Sequence, residues 1–292
     1  MENLKFADIE LILNEEIKKI SSMKTEGYVK GVFYPKNQRE LIFIYNFLKI
    51  NEIPFYIIGK GTNVLFSSEN NKILIISLQK MIKKIKKYKN FVFVDSSVTL
   101  AEAFQYCYKN DRSCFENLST IPGSIGGAIK VNAGCFGANI FDNLVSIKIL
   151  KNGKIKTLTK DKIIYGYRST NIDDLILSAK FETTPKNKCE LIKIASECIF
   201  KRNEKQPKGY SLGCIFKNPP GFSAGFLIEE CGLKGENKND AYISEKHANF
   251  IINKGKANFD DVMYLINLAK ESVKKNFNID LELEIKIYPN ET

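Results

Sequence analysis

The sequence has little of what metal sites, membrane proteins and secreted proteins require. It contains one histidine and seven cysteines, and no two cysteines form a C-x-x-C pair, so no metal site is predicted. No apolar run approaches the ~18 residues of a membrane span, and residues 1–19 lack the apolar core of a signal peptide. Free thiols without an export signal indicate a reducing cytosol, which predicts a cytoplasmic protein that does not enter a membrane.

The common nucleotide-binding motifs are also missing. There is no G-x-x-x-x-G-K-[ST], and no G-x-G-x-x-G opens a helix. Two other glycine-rich segments follow apolar runs, at Gly59–Asn63 and at Ile121–Gly137. Glycine lets the backbone approach a ligand closely, and exposed N–H groups in such loops bind anions. The two loops therefore predict a long ligand that carries a diphosphate, and a β-branched residue at Gly126 or Gly127 is expected to expel it.

The net charge of +11 raises the possibility of nucleic-acid binding. However, the basic residues are dispersed, apart from one dense block at Lys80–Lys89, which is interpreted as a solvated surface segment. The 44% hydrophobic content is that of a packed globular protein. Anionic small ligands suit the same excess of charge, and no nucleic-acid partner is predicted.

Short strands and helices alternate along the chain, which predicts an α+β fold. A capping box beginning at Thr99 starts one predicted helix, and Asn152-Gly153 predicts the turn of a β-hairpin. Two further strands are predicted at 211–218 and 281–288.

The length of 292 residues accommodates roughly two domains. Pro185 and the Lys-Asn-Lys that follows it mark a boundary. We therefore predict an N-terminal helical segment at 1–24, one domain at 25–187 and a second at 188–292.

Several polar residues in the second half could carry chemistry. Arg168 can bind a carboxylate with two hydrogen bonds, although it could equally be a surface arginine. Cys214 could be a reactive thiol or a small buried hydrophobe, and His247 could be structural or a binding contact. Glu282 and Glu284 alternate along a predicted strand, and burial of a carboxylate there would indicate a functional role for one of them.

Seven segments, in this order, resemble the UDP-N-acetylenolpyruvoylglucosamine reductase family: GKGTN, IPGSIGGAIKVNAGCFG, YRST, GCIFKNP, AGFLIEECGLKG, ISEKHANFIIN and LELEIKI. The short distance from Arg168 to Cys214 resembles the compact form of the family, which lacks an extra substrate-capping loop. The resemblance implies a two-part FAD-binding module of the vanillyl-alcohol-oxidase (PCMH) type, followed by a C-terminal α+β substrate-binding domain.

The resemblance also implies a reaction in peptidoglycan precursor synthesis. Non-covalent FAD would take hydride from NADPH and pass it to C3 of UDP-N-acetylglucosamine enolpyruvate, which leaves an enolate. Protonation at C2 would then give UDP-N-acetylmuramate. The enzyme is expected to act as a monomer.

The family's functional residues map onto this sequence one by one. The catalytic positions are Arg168, Cys214 and Glu284, and the positions near the substrate are Tyr167, Lys217, Asn218 and His247. The expected FAD-binding positions are Gly59, Gly61, Thr62, Asn63, Pro122, Gly123, Ser124, Ile125, Gly127, Asn132, Ala133, Gly134 and Ile176.

Cys214 departs from the family pattern, in which most members have serine as the proton donor. A thiol with a pKa of ~8.5 is a stronger acid than an alcohol, and a nearby Arg168 would lower that pKa further. Turnover is therefore expected to fall as the pH rises through this range.

Two other classes of protein remain open. One is a different flavin oxidoreductase of the same fold, such as an oxidase that tethers FAD through histidine; the only histidine, His247, lies far from the glycine-rich loops. The other is a basic nucleic-acid-binding or nucleotide-binding protein. A yellow protein whose flavin is released by acid denaturation would favour the reductase.

Overall fold

The computed structural model describes residues 2–67 and 73–289. The α-helices are α1 Ile17–Ile20, α2 Gln38–Ile50, α3 Leu100–Lys109, α4 Ile125–Lys130, α5 Lys188–Lys205, α6 Ala224–Glu230 and α7 Phe259–Phe277. The longer strands alternate with these helices and form two five-stranded sheets, while the shorter ones form two-stranded or three-stranded pairings. In chain order the strands are β1 Glu2–Phe6, β2 Ile9–Glu16, β3 Tyr28–Tyr34, β4 Phe55–Ile58, β5 Val64–Phe66, β6 Leu74–Ser77, β7 Ile85–Tyr88, β8 Phe91–Asp95, β9 Arg112–Ser113, β10 Gly134–Cys135, β11 Ala138–Asn139, β12 Leu144–Lys151, β13 Lys154–Thr159, β14 Tyr165–Gly166, β15 Ser169–Thr170, β16 Leu175–Glu182, β17 Thr184–Pro185, β18 Asn237–Lys238, β19 Ala241–Ile243, β20 Ile251–Asn253 and β21 Lys286–Tyr288.

The first sheet has the strand order β1-β2-β3-β6-β4 and mixes antiparallel and parallel pairs. Helix α2 packs on it through Leu41, Ile44 and Leu48, which are almost fully buried. The Asn37 side chain caps this helix by accepting from the Glu40 N–H. The first glycine turn leaves the sheet at the end of β4.

The prediction of a helical segment at 1–24 is wrong. Strands β1 and β2 occupy most of it, and only α1 is helical. Strand β2 pairs antiparallel with β3, from Glu10 opposite Tyr34 to Glu16 opposite Tyr28. This pairing satisfies backbone groups that β3 would otherwise leave open at a sheet edge, which outweighs the weak helical preference of a mixed-charge sequence.

The second sheet, β13-β12-β16-β8-β7, is antiparallel throughout. The hairpin between β12 and β13 is confirmed, with Asn152 and Gly153 both at positive φ, 51° and 69°. The capping box at Thr99 is confirmed as well, since its side chain and that of Glu102 cap each other's backbone N–H. Helix α4 and the second glycine-rich segment pack on this sheet through Ile125.

The C-terminal part is built around α7. Its buried face, with Val262, Leu265 and Ile266, packs with α6 and the three-stranded sheet β18-β19-β20. Met23 and Leu65 from the N-terminal part lie in the same cluster. The α+β class is confirmed, and the division at residue 187 remains a prediction.

One predicted strand of the C-terminal part does not form, and another is shorter than predicted. Residues 211–218 form only an isolated bridge, between Phe216 and Leu283. The Asn249 side chain takes the place of a neighbouring strand, because its Oδ1 accepts from the Phe216 N–H and its Nδ2 donates to the Phe216 carbonyl. The predicted final strand at 281–288 is reduced to β21, which pairs in parallel with β5. No helix in residues 2–67 and 73–289 is long and apolar enough to cross a membrane.

Candidate active site

Arg168 lies in the tight turn between β14 and β15. Its φ of 52° is in the left-handed region, which a residue other than glycine adopts only when its surroundings hold it there. The guanidinium group is held on two sides: Nε donates to Glu284 Oε1 at 2.8 Å, and Nη2 donates to the Gly134 carbonyl at 2.7 Å. The Arg168 side chain is 18% exposed, so the charge is largely shielded from water and fixed in direction.

Glu284 is the carboxylate that meets Arg168. Burial raises its pKa, and the nearby charges of Arg168 and Lys217 oppose that shift. Its N–H donates to the Ile215 carbonyl at 2.8 Å, and its carbonyl accepts from Asn63 Nδ2 at 3.1 Å. The side chain of Glu282, in contrast, is 73% exposed and pairs with Lys217, so Glu284 is the more buried of the two carboxylates.

Cys214 precedes Ile215, whose carbonyl holds Glu284. Burial raises the pKa of the Cys214 thiol to about 12, the Glu284 charge adds to the rise, and Arg168 and Arg202 oppose it. The expected lowering by Arg168 is therefore present but smaller than the effect of burial. The sequence expectation of a titration near pH ~8.5 is wrong for this site, and the thiol stays protonated at neutral pH.

The expected substrate positions surround this group. Tyr167 is 54% exposed; its ring lies 5.1 Å from the Arg168 guanidinium carbon, and its hydroxyl accepts from the Asn218 N–H at 3.4 Å. Asn218 Oδ1 accepts from the Ala224 N–H at the start of α6. Lys217 donates to Glu282 Oε1 and also acts electrostatically on Glu284. Three predicted substrate residues are thus joined to the Arg168 turn or to Glu284.

His247 packs against α6. A Cβ at Gly225 would lie 2.9 Å from His247 Cε1, so the glycine permits this contact. Burial lowers the pKa of His247, and its Nδ1 accepts from the Asn249 N–H at 3.2 Å. The assigned tautomer is therefore neutral with the proton on Nε2, which suits a hydrogen-bond donor rather than a base.

The two glycine-rich segments are packed together. A Cβ at Gly59 would lie 2.2 Å from Ser124 Oγ in the second segment. Gly61 has a φ of 64°, and a Cβ there would lie 1.9 Å from the Ile20 carbonyl oxygen. These two glycines are required by contacts within the protein. The contact between the segments places both expected diphosphate loops at one location.

Only some backbone groups of the second segment, at 121–137, are available to a ligand. The N–H groups of Ile125 and Gly126 donate to the Val98 and Ser96 carbonyls, so they are not available to an anion. A Cβ at Gly126 would lie 2.8 Å from the Ser96 side chain, whereas at Gly127 the nearest atom would be Ser124 Oγ at 3.4 Å. The Gly127 N–H donates to Ser124 Oγ at 3.4 Å, but the residue is exposed, so of the two it is the glycine whose face a ligand can approach.

The other expected FAD positions differ in what they can offer. Ile125 and Ile176 are 0% and 5% exposed and belong to the core beneath the loop. Asn132 is buried, and its Oδ1 has no hydrogen-bond partner in the described part of the chain. An acceptor without a partner, in the same segment as the exposed Gly127, fits a bound cofactor that has hydrogen-bond donors. Thr62, Pro122, Gly123 and Ala133 are partly or fully exposed around the same loops, and Gly134 is tied to Arg168.

Arg202, in the last turn of α5, is a residue that sequence reasoning missed. Its charge acts on the Cys214 thiol and on Cys135, and its buried Nε lacks a partner among residues 2–67 and 73–289. Nothing in the sequence singles it out, because a basic residue at the end of a helix also complements the helix dipole.

Within the same described ranges, no group of three or more metal-ligating side chains is found.

Comparison with known proteins gives consistent matches along the chain. A family model described as UDP-N-acetylenolpyruvoylglucosamine reductase, C-terminal domain, matches residues 205–288, and one described as FAD binding domain matches residues 29–159. The UDP-N-acetylenolpyruvoylglucosamine reductase of Clostridium kluyveri is 37% identical over 286 residues, which cover 96% of this chain and 94% of that protein. The Fusobacterium nucleatum enzyme of the same name is 37% identical over 284 residues, covering 96% and 99%. The crystal structure of UDP-N-acetylenolpyruvylglucosamine reductase (MurB) from Thermus caldophilus superposes with a TM-score of 0.81 at 29% identity, covering 96% of this chain and 99% of that one.

Proposed function

The chain belongs to the UDP-N-acetylenolpyruvoylglucosamine reductase family, and from this premise we propose how its own residues carry the reaction. It is an FAD-dependent oxidoreductase of peptidoglycan precursor synthesis, a UDP-N-acetylmuramate dehydrogenase with NADPH as hydride donor. The fold class is the two-part FAD-binding module with a C-terminal α+β domain. The observation that carries the site proposal is the contact of Arg168 with Glu284, beside Cys214 and next to the packed glycine loops.

FAD, when bound, supplies the hydride that reaches C3 of the enolpyruvyl group. Gly123, the exposed face of Gly127 and Asn132 would hold it, because a side chain at Gly127 would occupy that face and Asn132 Oδ1 is an acceptor without a partner in the described chain. The FAD would be non-covalent, because the one histidine of the sequence, His247, packs against α6 and is proposed to bind the substrate.

Arg168 binds the substrate carboxylate and stabilises the negative charge that spreads onto it. Its guanidinium is already oriented by Glu284 and Gly134, so little reorganisation is needed when the charge develops. The Nη1 contact to the Asn132 carbonyl is long, at 3.5 Å, and leaves donor capacity for the carboxylate.

Cys214 donates the proton to C2. With a pKa of about 12 the thiol is protonated throughout the physiological range, so the donor form is always present. Glu284 lies beside the same centre and is paired with Arg168. In its ionised form its charge helps to keep Cys214 protonated, while burial raises the pKa of its own carboxyl.

Tyr167, Lys217, Asn218 and His247 bind the remainder of the substrate. Lys217 supplies positive charge for the diphosphate, and the neutral His247 supplies a donor from Nε2. The chain works as a cytoplasmic monomer without a nucleic-acid or membrane partner. Free thiols at all seven described cysteines are compatible with that compartment. The proposed domain boundary at 187/188 is supported by the start of α5, which Asn187 caps.

Purification and assay test the proposed function directly. A yellow protein should release its flavin on acid denaturation, and NADPH absorbance should fall only when UDP-N-acetylglucosamine enolpyruvate is added. A colourless protein that cannot be reconstituted with FAD, or oxidation of NADPH that ignores this substrate, would contradict the proposal.

A further inference from the structure

Asn63 is the last residue of the first glycine turn, and its side chain also contacts the backbone of Glu284. Its side-chain Nδ2 donates to the backbone carbonyl of Glu284 at 3.1 Å, across 221 residues of sequence. Its own carbonyl accepts from the Lys286 N–H at 2.9 Å, next to the parallel pairing of β5 with β21. The turn expected to hold FAD is therefore hydrogen-bonded to the segment that carries Glu284.

The Glu284 peptide is held between two parts of the site. It lies just before β21, in a stretch of the described chain that forms no regular strand. Its N–H is bound by the Ile215 carbonyl, next to Cys214, and its carbonyl by the Asn63 amide. The Asn63 bond comes from a side chain, so it can be removed without altering the backbone.

The carboxyl of Glu284 depends on where this peptide lies. Its Oε1 is 2.8 Å from Arg168 Nε, and its charge contributes to the raised pKa of Cys214. A displacement of ~1 Å at a catalytic group can cost about 100-fold in rate. An amide donor suits this place, because aspartate of the same size would face the carbonyl with a second acceptor and alanine would leave it without this donor.

We propose that Asn63 is a positioning residue for Glu284: its side-chain amide fixes the glutamate backbone and thereby ties the Arg168–Glu284 pair to the flavin-binding turn. This inference rests on the roles of Arg168, Cys214 and Glu284 proposed above.

The test compares Asn63→Ala with the parent enzyme at saturating FAD, so that weaker cofactor binding does not enter the result. Stopped-flow absorbance separates flavin reduction by NADPH from its re-oxidation by the enolpyruvyl substrate. Flavin reduction reports any change at the FAD-binding turn itself, and re-oxidation should slow by roughly 10- to 100-fold more than reduction does, with a shifted pH profile. In a Glu284→Gln background, Asn63→Ala should slow re-oxidation little further, because both changes act through one group. Should Asn63→Ala fail to fold, Asn63→Asp, which keeps the size, gives the same comparison.

Asn143→Ala is the matched control. Asn143 Nδ2 donates to the Cys114 carbonyl at 3.1 Å, a bond of the same kind and length outside the catalytic group, and this variant should re-oxidise at the parent rate. Parent-like re-oxidation in the Asn63 variants, or equal slowing with and without Glu284→Gln, would overturn the inference. A Glu284→Gln enzyme that re-oxidises at the parent rate would instead overturn the role proposed for Glu284 itself.

Discussion

The most specific prediction concerns the thiol at position 214. Because burial raises the pKa of Cys214 to about 12, the proton donor should remain loaded across the range in which an ordinary thiol ionises. The rate of flavin re-oxidation should therefore show no alkaline limb from this group below about pH 11. Cys214→Ser should give a profile of the same shape, while Cys214→Ala should lose ~100-fold or more in re-oxidation and keep NADPH-driven flavin reduction.

The expected difference in alkylation rate follows from the fraction of each thiol that is ionised. At pH 8 a thiol with a pKa of ~8.5 is about one quarter ionised, whereas one with a pKa of about 12 is ionised in about one molecule in 10,000. Alkylation requires the thiolate, so iodoacetamide should modify Cys214 about 2,000-fold more slowly than an ordinary thiol. Cys189, which is exposed, provides the internal reference.

Two measurements check this reasoning. Peptide mass spectrometry after timed alkylation should find the label on Cys189 long before Cys214. Stopped-flow pH profiles should be compared for the parent, Cys214→Ser and Cys214→Ala. A limb near pH ~8.5 that disappears in Cys214→Ser would show that the thiol titrates normally. Parent-like turnover of Cys214→Ala would show that another group donates the proton, with Glu284 the leading candidate.

Three further predictions concern the cofactor loop, the charge pair and a helix cap. Gly127→Val should lose flavin while the apoprotein keeps the urea midpoint of the parent. Gly126→Val should lower the urea midpoint, because its side chain meets Ser96. Flavin retained by Gly127→Val would refute the loop assignment. Arg168→Ala or Glu284→Gln should slow re-oxidation by at least ~100-fold with flavin reduction preserved, and equal loss of both half-reactions would indicate misfolding instead. Asn258→Ala should destabilise the protein by about 1 kcal/mol through loss of the α7 cap, seen as a lower urea midpoint at constant slope; an unchanged midpoint would contradict the capping role.

Local signals in the sequence predicted the local structure well. The Asn152-Gly153 turn and the Thr99 capping box depend on interactions within a few residues, and both form as predicted. Pairings with distant partners were not predictable in the same way. The strand character of 9–16 depends on β3, and the missing strand at 211–218 depends on the Asn249 side chain.

The candidate site shows the same difference between features set by local sequence and features set by the fold. Family motifs pointed to the residue types, and the structure shows that Arg168 and Glu284 form an ion pair. The roles of individual glycines needed coordinates, because only they distinguish Gly126, which packs on Ser96, from Gly127, which faces outward. Arg202 could not be found from its position in the sequence, since its relevance arises from the fold around Cys214.

The acidity of Cys214 shows why residue identity alone leaves the chemistry open. Sequence reasoning placed a thiol near an arginine and expected a lowered pKa, which follows from charge alone. In the folded chain burial outweighs Arg168, and the Glu284 carboxylate acts in the same direction as burial. The cysteine at this position therefore does not provide a thiolate nucleophile. It is a neutral donor, which is the state that protonation of a carbanion requires.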